Sequence, residues 1–79
     1  MREQLREYIT VHMIKDKKYP LKDDEDLFKN GLVDSFSLTE LAVFIEEKFG
    51  VFFPDPELTV ANMRTLDHIV RNIEAKQAQ

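Results

Sequence analysis

Between residues 35 and 49 the apolar residues Leu38, Leu41, Ala42, Ile45 and Phe49 recur at i, i+3, i+4, i+7 and i+11. That spacing is the helical repeat, and it lays all five side chains on one face. Gly50 follows where a helix commonly ends in a left-handed residue. The stretch therefore predicts an amphipathic helix that must bury one face against other elements. The chain has 79 residues, so a single domain over 1–79 with a small core and modest stability is expected. It has no cysteine, which removes both a disulfide framework and a thiolate metal site as sources of stability.

The rest of the chain supplies helices for that face to pack on. Over residues 3–15, Leu5, Ile9, His12 and Met13 share one face, with Tyr8 and Val11 on its flanks. Lys15, Lys17 and Lys18 sit where a helix C-terminus favours cations, and Tyr19-Pro20 marks the exit. Residues 16–34 form a long connection without clear periodicity, a length that is unusual in a small domain and often functional. Within it Leu27 and Phe28 are expected to drop into the core and hold the loop, and Gly31 to provide a turn. The acidic run Asp23-Asp24-Glu25-Asp26 lacks the glycine and glutamate spacing of a calcium loop and reads as solvated.

Beyond Gly50, Val51-Phe52-Phe53 has strand propensity but no partner strand. It reads as an extended connection ended by Pro54 and Pro56, and the Phe pairs read as core or core edge. A short helical turn over 60–63 capped by Thr59 and a last helix over 66–76 capped by Thr65 follow, with Leu66, Ile69, Val70 and Ile73 on the inner face. The tail 75–79 is expected to fray. The fold class is all-α: three main helices, a short one before the last, and a long first loop.

The formal net charge of −4 argues against a general nucleic-acid binder and suits acidic patches that meet basic partners. No apolar run approaches the roughly 20 residues that span a bilayer. The N-terminus is charged and amphipathic and has no apolar signal-peptide core, so a cytoplasmic location is expected.

The chemistry centres on Asp34-Ser35, at the junction of the long loop and the 35–49 helix. A serine there presents its hydroxyl at a helix start, where backbone N–H groups favour incoming negative charge. It is a candidate attachment point for a phosphate-linked group. Ser and Asp are also preferred helix caps, and the two roles are compatible. A serine-hydrolase reading has little support: there is no Gly-x-Ser-x-Gly elbow, and neither His12 nor His68 has a context that puts it beside Ser35. The helix side opposite the apolar stripe carries Phe36, Glu40, Val43, Glu46 and Glu47, an acidic face interrupted by apolar residues.

Leu27-Phe28, then Gly31-Leu32-Val33-Asp34-Ser35-Phe36, then Leu41 and Phe44-Ile45-Glu46-Glu47-Lys48-Phe49-Gly50-Val51 together resemble an acyl carrier protein. Phe53-Pro54, Glu57-Leu58-Thr59 and Asn62-Met63-Arg64-Thr65-Leu66 are similar to the region of that family's third helix, so the resemblance covers nearly the whole chain. It implies a four-helix bundle with a short third helix. It implies that Ser35 is esterified with 4'-phosphopantetheine from coenzyme A by a separate magnesium-dependent phosphopantetheinyl transferase, with Asp34 orienting the hydroxyl or holding that enzyme's metal. The arm's thiol then carries an acyl or aminoacyl group as a thioester to partner enzymes, including a loading ligase. By the same resemblance the protein itself is expected not to be an enzyme and to hold no metal. Phe36, Glu40, Val43, Glu46 and Glu47 match positions that meet basic patches on partners.

Ser37 stands where fatty-acid carriers usually have an acidic residue, and Lys48 interrupts the acidic helix end. These departures, with the lysine-rich first helix and loop, argue against primary fatty-acid synthesis, and the Glu57-Leu58-Thr59…Asn62-Met63 pattern resembles discrete carriers of specialised pathways: stand-alone partners of adenylating ligases, polyketide or nonribosomal-peptide systems, and D-alanyl carriers. A monomer is expected. An interaction module of the same fold without a prosthetic group is the alternative.

Overall fold

The computed structural model describes residues 1–79, and its regular structure is entirely helical. Helix α1 spans Arg2–Tyr8 and continues through a wider π-helical turn, Ile9–Ile14. Helix α2, Leu38–Phe49, is entered through a 3₁₀ turn, Ser35–Ser37. Helix α3 is Leu66–Gln77. Short 3₁₀ turns occupy Lys29–Gly31 and Asp55–Glu57. No helix is long and apolar enough to cross a membrane.

Sixteen buried apolar residues form one continuous core, drawn from all three helices and from both long connections. Leu38, Leu41 and Ile45 supply the α2 share, and Leu66, Ile69, Val70 and Ile73 the α3 share, as their spacing predicts. Gly50 closes α2 at φ +67°, with its N–H on the Glu46 carbonyl at 3.0 Å. Glycine, with no Cβ, adopts that geometry at the least steric cost. Thr65 caps α3 by accepting the His68 N–H at 3.1 Å. The short helix expected before α3 is a single turn. Thr59 Oγ1 accepts the Asn62 N–H, and the Met63 N–H returns to the Thr59 carbonyl.

The first helix departs from its expected phase. Leu5, Ile9 and Met13 are buried as expected, but His12 is exposed and Thr10 is buried in its stead. A π-helical turn rotates less per residue than an α-helix, so it carries position 12 off the inner face and keeps 13 on it. Thr10 is tolerated inside because its hydroxyl donates to the Arg6 and Glu7 carbonyls, at 2.9 and 3.1 Å. Lys15 ends the turn in the left-handed region, at φ +64°.

The long loop is clamped rather than draped. Leu21, Leu27 and Val33 are buried at 4%, 0% and 3% exposure. Leu27 N–H donates to the Arg64 carbonyl, Val33 N–H to the Leu27 carbonyl and Asp67 N–H to the Asp23 carbonyl, at 2.8–3.0 Å. Asn30 and Gly31 both take positive φ to turn the chain toward Ser35.

The acidic run is not solvated as expected, because distant basic side chains fold back on it. Asp23 pairs with Arg6 and, at 3.4 Å, with Arg2, which also holds Asp67 at 2.6 Å. Glu25 accepts from the Tyr19 hydroxyl and the Lys22 N–H. Asp26 accepts from the Phe28 and Lys29 N–H groups and pairs with Arg64 at 3.0 Å. Only Asp24 is left exposed.

The Phe28 N–H first, and then Arg64, hold the Asp26 carboxyl below the usual carboxylate range. A group that binds its proton less readily when folded stabilises the fold fully above its unfolded pKa, about 3.9, and loses that contribution as pH falls through the folded value. Urea midpoints of wild type and Asp26→Asn should therefore differ at neutral pH and converge as the pH drops through and below the ordinary carboxylate range. A gap that persists undiminished to the acid end would assign the effect to something other than this carboxylate.

Two further departures lie near the C-terminus. Phe52 is 64% exposed, whereas its neighbours Val51 and Phe53 are buried at 6% and 4%, so the extended segment alternates and the Phe pair does not enter the core together. The tail does not fray from residue 75, and α3 continues to Gln77. Lys76 secures its last turn, pairing with Glu57 at 2.7 Å and lying 5.2 Å from the centre of the Phe53 ring.

Candidate functional site

Asp34 leaves the loop in an extended conformation, φ −83° and ψ 137°, and its carboxylate accepts the Phe36 N–H at 2.9 Å. Its carbonyl accepts the Ser37 N–H, also at 2.9 Å. Together these bonds close the 3₁₀ turn and make Asp34 the cap of the helical stretch that becomes α2. Ser35 is the first residue inside the turn. Its side chain is exposed, and its hydroxyl has no partner within the chain. The only other serine in the sequence, Ser37, is half-buried. The turn thus offers one accessible aliphatic hydroxyl at the mouth of α2, on a backbone fixed from behind by Leu27 and Val33.

Neither histidine stands behind that hydroxyl. His68 Nδ1 lies 2.6 Å from the Thr65 hydroxyl, within the α3 cap, and the His12 ring sits 4.9 Å from that of Tyr8. A Ser35–His pair of the kind that activates a nucleophile is not formed.

The expected recognition residues are all on the surface. Phe36 is 88% and Val43 50% exposed, and Glu40, Glu46 and Glu47 are exposed as well. Three of them come together: Glu40, Val43 and Glu47 line one depression of about 340 Å³ with Thr39, Phe44 and Tyr8. Phe36 and Glu46 lie outside it. Tyr8 is the member that periodicity alone misses as a site residue, because it belongs to α1. Its ring stacks on Phe44 with centroids 4.1 Å apart and planes 14° off parallel, and its hydroxyl reaches the Glu40 carbonyl at 3.3 Å. Burial first, then the charges of Glu40 and Glu47, push the Tyr8 phenol up.

No protein-family model matches the chain. It is 35% identical over 52 residues to the D-alanyl carrier protein of Leuconostoc mesenteroides, an alignment that covers 66% of this chain and 67% of the relative. It is 39% identical over 54 residues to the D-alanyl carrier protein of Streptococcus equi subsp. zooepidemicus, covering 68% of each. The acyl carrier protein of Rhodococcus erythropolis is 43% identical over 47 residues, 60% of this chain and 50% of that protein. Carriers matched across two thirds of their length agree with what the residues and the helical fold had already suggested, and the chain belongs to the acyl carrier protein family.

Proposed function

We propose that this chain is a discrete carrier that holds an acyl or aminoacyl group on a 4'-phosphopantetheine arm esterified to Ser35. The observation that carries the proposal is the free, exposed Ser35 hydroxyl on a capped turn opening α2. The residues fit the group: its phosphodiester needs one accessible hydroxyl and space around it, and Ser35 has both. When bound, the arm supplies the thiol that a chain without cysteine lacks. Asp34 fixes the turn that presents the hydroxyl, and it stands exposed beside it for a transferase to use. A D-alanyl group is the cargo best supported, since relatives matched over two thirds of their length bear that name. The carrier contributes no bond-making group of its own. It raises the effective concentration of its cargo at each partner's active site.

Incubating the chain with coenzyme A, magnesium and a broad-specificity phosphopantetheinyl transferase should raise its intact mass by one arm. A chain that stays at its starting mass would favour the interaction module without a prosthetic group. Mass spectrometry of the protein from its native source would then identify the cargo.

The acidic face is the proposed meeting ground with partner enzymes. Rim charges set encounter rates more than final affinity. Reversing Glu40 and Glu47 to Lys should slow loading by the transferase by about 10-fold or more at low ionic strength, and the gap to wild type should narrow as salt is added. Equal loading rates across salt concentrations would remove these carboxylates from recognition.

A further inference from the structure

The Lys29–Gly31 turn, which redirects the chain toward Ser35, is weakly held by its own backbone. The Gly31 N–H reaches the Phe28 carbonyl, and the Leu32 N–H the Lys29 carbonyl, only at 3.4 Å each. Those lengths lie beyond the usual roughly 2.9–3.0 Å. The short bonds of the turn come from outside it. Asp26 Oδ1 accepts the Phe28 N–H at 2.9 Å and the Lys29 N–H at 3.1 Å, so one carboxylate oxygen caps the turn. The other oxygen, Oδ2, accepts from Arg64 Nη1 at 3.0 Å.

Residue 64 is a fixed post. Met63 and Thr65, on either side of it, are buried at 0% and 7% exposure, and Thr65 caps α3. Arg64 holds the loop twice: its carbonyl accepts the Leu27 N–H at 2.8 Å, and its guanidinium holds Asp26. From there the route to the site is short. The Leu27 carbonyl accepts the Val33 N–H at 2.8 Å, and Asp34 and Ser35 follow directly. The start of α3 is thereby linked to the approach to Ser35 by bonds that do not pass along α2. The Arg64 and Asp26 side chains are 47% and 27% exposed, and an ion pair so open to water adds little to stability. Its consequence lies in where it holds the turn.

We propose that Arg64 and Asp26 are positioning residues for arm transfer: their ion pair fixes the 27–33 loop, before any partner is bound, in the form on which the transferase docks. The proposal rests on the reading of Ser35 as the attachment site, and adds to it a pair that touches neither the hydroxyl nor the acidic face of α2. A loop already fixed need not be ordered on docking, whereas one released from Arg64 must be ordered at the transferase surface. Asp34 still caps the turn at Ser35, so the hydroxyl is presented unchanged once the complex has formed. The loss therefore falls on KM and spares kcat.

The test measures initial rates of arm transfer against carrier concentration, at saturating coenzyme A and magnesium. Arg64→Gln keeps the backbone carbonyl for Leu27 and removes the charge. It should raise KM about three- to ten-fold and leave kcat close to wild type. Arg64→Lys keeps a cation on a long stem, which is all that a contact through one nitrogen requires, and should restore most of the loss. Asp26→Asn should also raise KM, and the double variant should be no worse than Asp26→Asn alone, because both substitutions remove one interaction. Arg71→Gln makes the same change of charge on exposed α3 surface and should load like wild type. A second readout needs no transferase. Hydrogen exchange of the chain without the arm should quicken at the Phe28, Lys29 and Val33 amides in Arg64→Gln, and stay unchanged at the Leu41 and Ile45 amides of α2. Additive effects of the two single substitutions would overturn the proposal, by making Arg64 a direct contact of the transferase. So would a fall in kcat at unchanged KM, unchanged exchange in the loop, or an equal loss in Arg71→Gln, which would reduce the effect to overall charge. Wild type that takes up no arm sinks the carrier reading itself. Wild type that loads beside an Arg64→Gln variant of the same KM sinks the positioning role alone.

Discussion

Ser35→Ala will take up no phosphopantetheine arm, while Ser37→Ala will load at close to the wild-type rate. The two serines lie two residues apart on one 3₁₀ turn, so the pair of variants separates a specific hydroxyl from a generally reactive loop. Ser37 is half-buried, and the turn uses its N–H, on the Asp34 carbonyl, rather than its hydroxyl. Alanine preserves that bond. Ser35 is exposed, and alanine removes the one group to which a phosphodiester can be made at that place. Intact-mass measurement after exhaustive treatment with transferase and coenzyme A gives an all-or-none readout. Modification of Ser35→Ala to the wild-type extent would refute the site. Asp34 can be divided in the same way. Asp34→Ala removes a cap worth about 1 kcal/mol, whereas Asp34→Asn keeps an oxygen for the Phe36 N–H and removes only the charge. Loading that survives in the Asn variant and falls in the Ala variant assigns Asp34 to holding the turn. Loading lost in both, with the fold intact, assigns it to the transferase reaction.

What was legible in the sequence is what depends on near neighbours along the chain. The α2 stripe, its Gly50 stop, the Thr65 cap and the Thr59 turn are local patterns of period 3.6 or side-chain-to-backbone bonds over three residues, and each is in place. The exposed acidic face follows from the same periodicity, since fixing Leu38, Leu41 and Ile45 inward leaves Glu40, Val43 and Glu47 outward. The π-helical turn of α1 was not legible, because one altered backbone register leaves the residue pattern nearly unchanged while moving His12 out and Thr10 in. The pairing of the acidic run is illegible for a different reason. Its partners Arg2, Arg6 and Arg64 are far away in sequence, and only the assembled fold brings them to Asp23 and Asp26. The α1–α2 contact has the same character: Tyr8 and Glu40 are thirty-two positions apart, joined by a hydrogen bond that no helical period encodes.

Leu27→Ala should be the most damaging single substitution in the loop, costing about 2–5 kcal/mol. At 0.05–0.15 kcal/mol per residue a domain of this length has only roughly 4–12 kcal/mol in total, so the variant forfeits a large part of its stability. Leu27 is fully buried, and its peptide is bonded on both sides, N–H to the Arg64 carbonyl and carbonyl from the Val33 N–H. Those backbone bonds tie together two connecting segments, the one that ends at Arg64 beside the α3 cap and the one that leads through Val33 to Ser35, and the buried side chain seats the junction in the core. Emptying its place leaves a void in a sixteen-residue core too small to close it readily. Lys29→Ala, two residues on and exposed, changes no buried contact and should stay within about 0.5 kcal/mol of wild type. Urea unfolding at neutral pH measures both. A loss below about 1 kcal/mol for Leu27→Ala would mean that the loop rests on the bundle without being clamped to it. The position of Ser35 would then depend on Val33 and the Asp34 cap.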